Sequence, residues 1–147
     1  MMKTWMVVGF AVMMLGCASG RPVRLGVANG KFTPCPASPN CVCSQATDTS
    51  HAIAPFSYQG AAEDALSRLL AVIRSMKRTT VVTVQERYLH VEFRSAVFRF
   101  VDDVEFYIDD TQKNIHFRSA ARLGYSDFGV NRKRMEAIRQ RFLQASS

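Results

Sequence analysis

The chain has 147 residues, 48% of them hydrophobic and 21% charged, with 19 Lys+Arg against 12 Asp+Glu and a formal charge of +7. This length holds one domain, which excludes large multidomain enzymes and polytopic membrane proteins. The composition is that of a folded globular chain and excludes a disordered one.

Residues 1–16 carry one cation, Lys3, and then an apolar run from Trp5 to Leu15. That run is about half the roughly 20 residues a membrane-spanning helix needs, and it fits the core of a secretory signal peptide. Met14-Leu15-Gly16-Cys17 resembles a bacterial lipobox, with Met14 where Leu or a similar aliphatic is usual. The resemblance implies diacylglycerol on the Cys17 sulfur and cleavage before it, which anchors the domain to a membrane without a spanning helix. Because Ala18 rather than Asp follows, sorting by the same resemblance favours the outer membrane, with the domain facing the periplasm. Cleavage also removes the only Trp and five of the seven Met, so a Met-rich copper site is excluded.

Residues 17–33 read as a Gly-containing tether, and residues 34–147 as a single domain. Three Pro among residues 34–39 make the stretch before Cys41 a stiff turn region. Residues 44–59 look irregular. A helix is expected at 60–77, where Leu66, Leu69, Leu70 and Ile73 repeat at helical spacing and Met76 extends the stripe. Glu63 and Asp64 suit its start, and Lys77 and Arg78 its end.

The β-branched run Thr79–Val84 then begins a strand. Tyr88–Arg94 alternates, with Leu89, Val91 and Phe93 on one face. Residues 97–108 also alternate, with Phe98, Phe100, Val104, Phe106 and Ile108 together, and residues 114–119 place Ile115 with Phe117. Short connections imply antiparallel neighbours. A last helix is expected at 132–145, with Met135, Ile138 and Phe142 inward and Asn131 as its N-cap. The expected fold class is α+β: a four-stranded antiparallel sheet flanked by an N-terminal and a C-terminal helix, as a two-layer sandwich.

Three stretches together resemble one family, the bacterial envelope family called domain of unknown function 1499. They are the run from Cys35 to Val42 (CPASPNCV), the strand from Phe98 to Phe106 (FRFVDDVEF), and the run from Arg118 to Arg132 (RSAARLGYSDFGVNR). The resemblance covers roughly residues 22–142 and departs at Cys43, where the family pattern has Ser. It implies an envelope setting and supplies no mechanism.

An exported domain sits in an oxidising compartment, so a Cys35–Cys41 disulfide is expected, with Cys43 left as an odd thiol. The alternative is a metal site from Cys35, Cys41, Cys43 and His51, whose spacing matches no usual zinc pattern. No metal or other cofactor is expected.

The segment 118–134 is the most informative part of the chain. It carries Arg118, Arg122, Arg132, Lys133 and Arg134, with Asp127 as its only acid. Cations in the first turn of a helix oppose its dipole, so something negative should compensate. Strict alternation puts Asp102 on the apolar face, where a carboxylate needs a guanidinium partner. In one reading Asp102 and Asp103 pair with Arg118, Arg122 or Arg132 and lock the last helix to the sheet. In the other, Asp102, Asp103, Arg118, Ser119, Arg122, Tyr125, Asp127, Asn131 and Arg132 frame a pocket for an external anion.

Ser119, Ser126, His90, His116 and Asp127 provide material for a triad, but no G-x-S-x-G elbow exists, and the two His are expected as exposed cross-strand neighbours. The cationic face of the last helix, Arg132, Lys133, Arg139 and Arg141, suits anionic headgroups or cell-wall polymers. Nucleic acid is not an expected partner. The expected function is a non-catalytic envelope lipoprotein that binds an anionic small molecule, lipid or glycan. The alternative is a scaffold contacting another envelope protein, and a hydrolase comes third.

Overall fold

The computed structural model describes residues 24–145. The expected signal peptide, the expected attachment site at Cys17 and residues 17–23 of the expected tether lie outside the described residues. The remaining tether residues include a small hairpin, β1 (Val27–Ala28) with β2 (Lys31–Phe32). Short strands β3 (Cys41–Cys43) and β4 (Phe56–Ser57) follow, then helix α1 (Ala62–Arg74). Four longer strands come next, β5 (Thr79–Val84), β6 (Tyr88–Arg94), β7 (Val101–Asp109) and β8 (Asn114–Ala121), and helix α2 (Val130–Gln144) ends the fold.

The main sheet has six antiparallel strands rather than the expected four. Its order is β3-β8-β7-β6-β5, with β4 also pairing β8. The four expected strands are β5 to β8, with β5 at one edge, and both additions lie beyond them on β8. The additions are short pieces from the Pro-rich and irregular stretches, which pair with opposite ends of β8: Cys41 with Ala120, and Phe56 with Ile115. Sequence period cannot reveal strands of two or three residues.

One face of the sheet is apolar. Leu89, Val91, Val104, Phe106, Ile108, Ile115 and Phe117 are fully buried there against Leu69 and Ile73 of α1 and Met135, Ile138 and Phe142 of α2. Helix α1 is two to three residues shorter at each end than expected. It stops because Ser75 Oγ donates to the Val72 carbonyl and Thr79 Oγ1 to those of Ile73 and Met76, which takes up the open carbonyls of the last turn.

The strand expected at 97–108 begins only at Val101. Arg94 and Val101 are register partners, so residues 95–100 form the connection. Ser95 closes it: its N–H donates to the Phe100 carbonyl, and its Oγ accepts the Phe100 N–H. Phe98 and Phe100 therefore do not join the core. They are 75% and 52% exposed.

Cys35 and Cys41 form a disulfide with Cα atoms 5.7 Å apart, which removes both from any metal set. Cys43 is free and buried, and burial pushes its thiol up, so it is a poor nucleophile. Reduction of the unfolded protein should release two further thiols, and a Cys35→Ala/Cys41→Ala variant should lose about 1–2 kcal/mol, less than chain entropy alone predicts because Pro36 and Pro39 already stiffen the loop. An unchanged thiol count on reduction would contradict the bond.

Candidate functional site

The residues singled out between 102 and 132 do not form one cluster. Neighbours on a strand face opposite sides, so Asp102 and Asp103 enter two separate networks.

Asp103, on the face away from the helices, is 1% exposed. Arg122 grips it with two hydrogen bonds of 2.7 Å, and His90 Nε2 donates to it at 2.8 Å. Burial opposes ionisation of this carboxyl, but the bonds from Arg122 and His90 outweigh it and hold it below the ordinary carboxylate range. Arg122 also reaches Glu92 at 2.6 Å. Glu92 and Asp103 are directly opposed across β6 and β7. Two carboxylates in that position repel, and Arg122 converts the repulsion into a bridge.

Next to them Glu105, fully buried, accepts from Tyr88 Oη at 2.9 Å, from the Gly26 N–H at 2.6 Å and from Arg118 at 3.4 Å. The β1–β2 hairpin lies over this face. Gln45 ties it down, accepting the Phe32 N–H and donating to the Gly30 carbonyl. The expectation that His90 is exposed is thus corrected: it is 3% exposed, because the polar sheet face is covered by chain that shows no apolar period.

Asp102, on the helix side, does have its guanidinium, but from Arg134 of α2, at 2.6 Å, and not from Arg118, Arg122 or Arg132. Arg134 lies over the Phe93 ring, 4.8 Å from its centroid, and donates to Asn131 Oδ1 at 2.7 Å. Ser119 Oγ donates to the same oxygen. Asn131 is fully buried inside the first turn of α2 and is not the N-cap. Its amide donates to Asp127 at 2.7 Å and to the Asn40 carbonyl at 3.2 Å. Asp127 takes the capping part instead, accepting the N–H groups of Gly129 and Asn131. It supplies the negative charge that the cationic first turn requires.

Arg132 donates to the Ala52 and Ser50 carbonyls, and Arg139 to those of Ala54 and Pro55. Half of the expected cationic helix face therefore clamps the loop before β4. Tyr125 is 75% exposed.

What remains open is a groove of about 940 Å³ between the end of α1, the 95–100 connection, the 122–129 loop and α2. Of nine exposed large hydrophobic side chains among the described residues, five line it: Phe98, Phe100, Leu123, Phe128 and Val130. Single exposed apolar residues need no explanation, but a concentration of them does. Phe98 and Phe100 stack on each other with centroids 5.6 Å apart. Phe128 is 89% exposed and sits at φ 52°, a left-handed conformation that costs a bulky side chain about 1 kcal/mol or more. Six cations line the groove, Lys77, Arg78, Arg94, Lys133, Arg134 and Arg141, against two carboxylates, Asp102 and Asp127. Both carboxylates are already satisfied, by Arg134 and by the α2 backbone. Among the described residues, none of Lys77, Arg78, Lys133 and Arg141 pairs with a carboxylate.

Of the anion-site residues expected from sequence, only Asp102 and Asp127 line this groove. Lys77, Arg78, Phe98, Leu123 and Phe128 also line it, although Lys77 and Arg78 were expected only as the end of a helix and Phe98 as part of the apolar face of a strand. A second cavity of about 850 Å³ lies under the hairpin, and its Glu86 and Arg87 carry opposite charges, so it is no better suited to an anion.

Two serine–histidine contacts bear on catalysis. Ser44 Oγ is 3.2 Å from His116 Nδ1, but it also accepts the Phe117 N–H, and Asp109 is 4.0 Å from the other ring nitrogen, beyond hydrogen-bond reach. Ser50 Oγ is 3.2 Å from His51 Nδ1, but that nitrogen is closer to Asp48, at 2.7 Å, to which Ser50 Oγ itself donates, and Nε2 faces the Ser38 carbonyl. Hydrogen bonds from Ser50 and then His51 keep the Asp48 carboxyl down at about 2. Neither serine lines the groove or the second cavity. These contacts tie loops together and do not make a nucleophile.

A family model described as "Protein of unknown function (DUF1499)" matches residues 31–142. The matched span runs from β2 into the last turns of α2 and holds the groove and both networks apart from Gly26. No curated protein matches the sequence.

Proposed function

The chain belongs to the family described as Protein of unknown function (DUF1499), and from that premise we propose that it is a lipid-anchored module of the bacterial cell envelope that binds an anionic ligand in the groove beside α2. The lipobox-like Met14–Cys17 supports the anchor, and Ala18 supports the outer membrane. The observation that carries the binding reading is the set of groove cations without carboxylate partners, Lys77, Arg78, Lys133 and Arg141. Arg118, Arg122, Arg134 and Arg139 are all engaged within the fold. Unpaired cations converging on one concavity give a positive field that an anion enters favourably and that salt weakens. The site is a binding site and not a catalytic one, because the carboxylates in it are occupied and the serine–histidine contacts lie elsewhere.

Native mass spectrometry of the purified chain tests this. The wild type should retain an anionic adduct that leaves as ionic strength rises, and Arg78→Glu/Lys133→Glu should lose it. Both substitutions alter exposed side chains, and a carboxylate at 133 suits the start of α2, so the melting temperature should not fall. An adduct that survives the charge reversal, or a wild type carrying none, would sink the anion reading. For the anchor, Cys17→Ser should move the protein out of the membrane fraction, and unchanged fractionation would end that part of the proposal.

A further inference from the structure

We propose that the groove takes a single-chain anionic amphiphile: a phosphate or carboxylate head held by the cationic walls, with an acyl or alkyl tail laid along Phe98, Phe100 and Phe128. This rests on the anion reading above and names the class of ligand. A bare anion would need the cations but not the aromatic lining. A neutral hydrophobe would need the lining but not the cations. The groove supplies both within one concavity.

The geometry separates the two parts. The cations come from the two helical walls, Lys77 and Arg78 beyond the end of α1 and Lys133 and Arg141 on α2. The apolar side chains come from the two connecting loops, with Phe98 and Phe100 on one and Leu123 and Phe128 on the other. None of these aromatic rings is needed by the core, whose apolar face is already filled by the two helices. A volume of about 940 Å³ is at the upper end of ordinary small-ligand pockets. Walls on both sides favour a chain lying within the groove over a flat bilayer laid across it.

Titration calorimetry on the purified chain tests the proposal with three probes kept below micelle formation: octyl phosphate, inorganic phosphate and octyl glucoside. Each methylene removed from water is worth about fourfold in affinity, so burying half the chain gives octyl phosphate at least about 100-fold over inorganic phosphate. The charged head should give it about tenfold over octyl glucoside. Phe98→Ser/Phe128→Ser should weaken octyl phosphate about tenfold and leave inorganic phosphate unaffected. Because both side chains are exposed, a melting curve should show the variant folded.

Inorganic phosphate binding as tightly as octyl phosphate would overturn the amphiphile and leave the anion reading standing. Octyl glucoside binding as tightly would overturn both. Binding to phosphatidylglycerol vesicles without any binding of octyl phosphate would assign the surface to a bilayer and overturn the proposal. A doubled mass in light scattering, with no heat from any probe, would show the groove closed by a second copy and do the same.

Discussion

Arg122→Met should lower the unfolding free energy by about 3–5 kcal/mol. The side chains of Arg122, Asp103 and Glu92 are 7%, 1% and 11% exposed, so water cannot replace the lost guanidinium. Methionine fills much of the volume but leaves two carboxylates opposed across β6 and β7 with their shared cation gone. His90 still holds Asp103, which keeps the loss from being larger. Urea denaturation of both proteins at pH 7 measures the difference, and a change below about 1 kcal/mol would mean that Glu92 and Asp103 are solvated in the folded state.

The same network fixes an acid limb of stability. Asp103 titrates below the ordinary carboxylate range when folded, and at about 3.9 when unfolded. A depressed folded value contributes stability that is present in full above the unfolded value and is lost as pH falls through the folded one. Wild-type stability should therefore decline below about pH 4. In Arg122→Met the main cause of the depression is gone and only His90 remains, so the contribution from Asp103 should fall and that decline should shrink. A variant with the wild-type acid limb would assign it to other carboxylates.

How much of this was legible in the sequence follows from which signals are local. The ranges of β5 and β6 could be read from residue type and alternation alone, because Leu89, Val91 and Phe93 face a continuous apolar layer. The need of Asp102 for a guanidinium was legible too, since its place in the alternation is set by Val104 and Phe106. Which arginine answers it was not. Arg134 reaches Asp102 only because Asp127 sets where α2 starts, and that depends on a loop with two consecutive left-handed residues, Phe128 and Gly129. Alternation also misleads where polar residues are buried. Glu92, Asp103 and Glu105 have the period of a solvated face, and nothing in their spacing shows that Arg122 bridges the first two or that the Gly26 N–H meets the third. The groove was least visible, because Phe98 and Phe100 continue the rhythm of β7 across a connection that Ser95 closes.

Asn131→Leu should cost about 3 kcal/mol, although leucine is close in size and the site is fully buried. The loss comes from what the amide satisfies. Its oxygen accepts from Ser119 and Arg134, and its nitrogen donates to Asp127 and to the Asn40 carbonyl. Leucine leaves the buried Ser119 O–H without its acceptor, with only the long 3.4 Å bond from Arg134 to its oxygen remaining, and removes one anchor of Arg134; each unsatisfied buried group costs about 1–3 kcal/mol. Water can reach the Asp127 end, so the penalty there is small. Adding Ser119→Ala removes the stranded hydroxyl, so the double variant should be more stable than the sum of the single changes predicts, by about 1 kcal/mol. Strict additivity in denaturant midpoints would mean that Asn131 and Ser119 do not share their hydrogen bond. With one support of Arg134 gone, that wall of the groove should be held less firmly, so Asn131→Leu should weaken octyl phosphate binding although Lys77, Arg78, Lys133 and Arg141 are untouched.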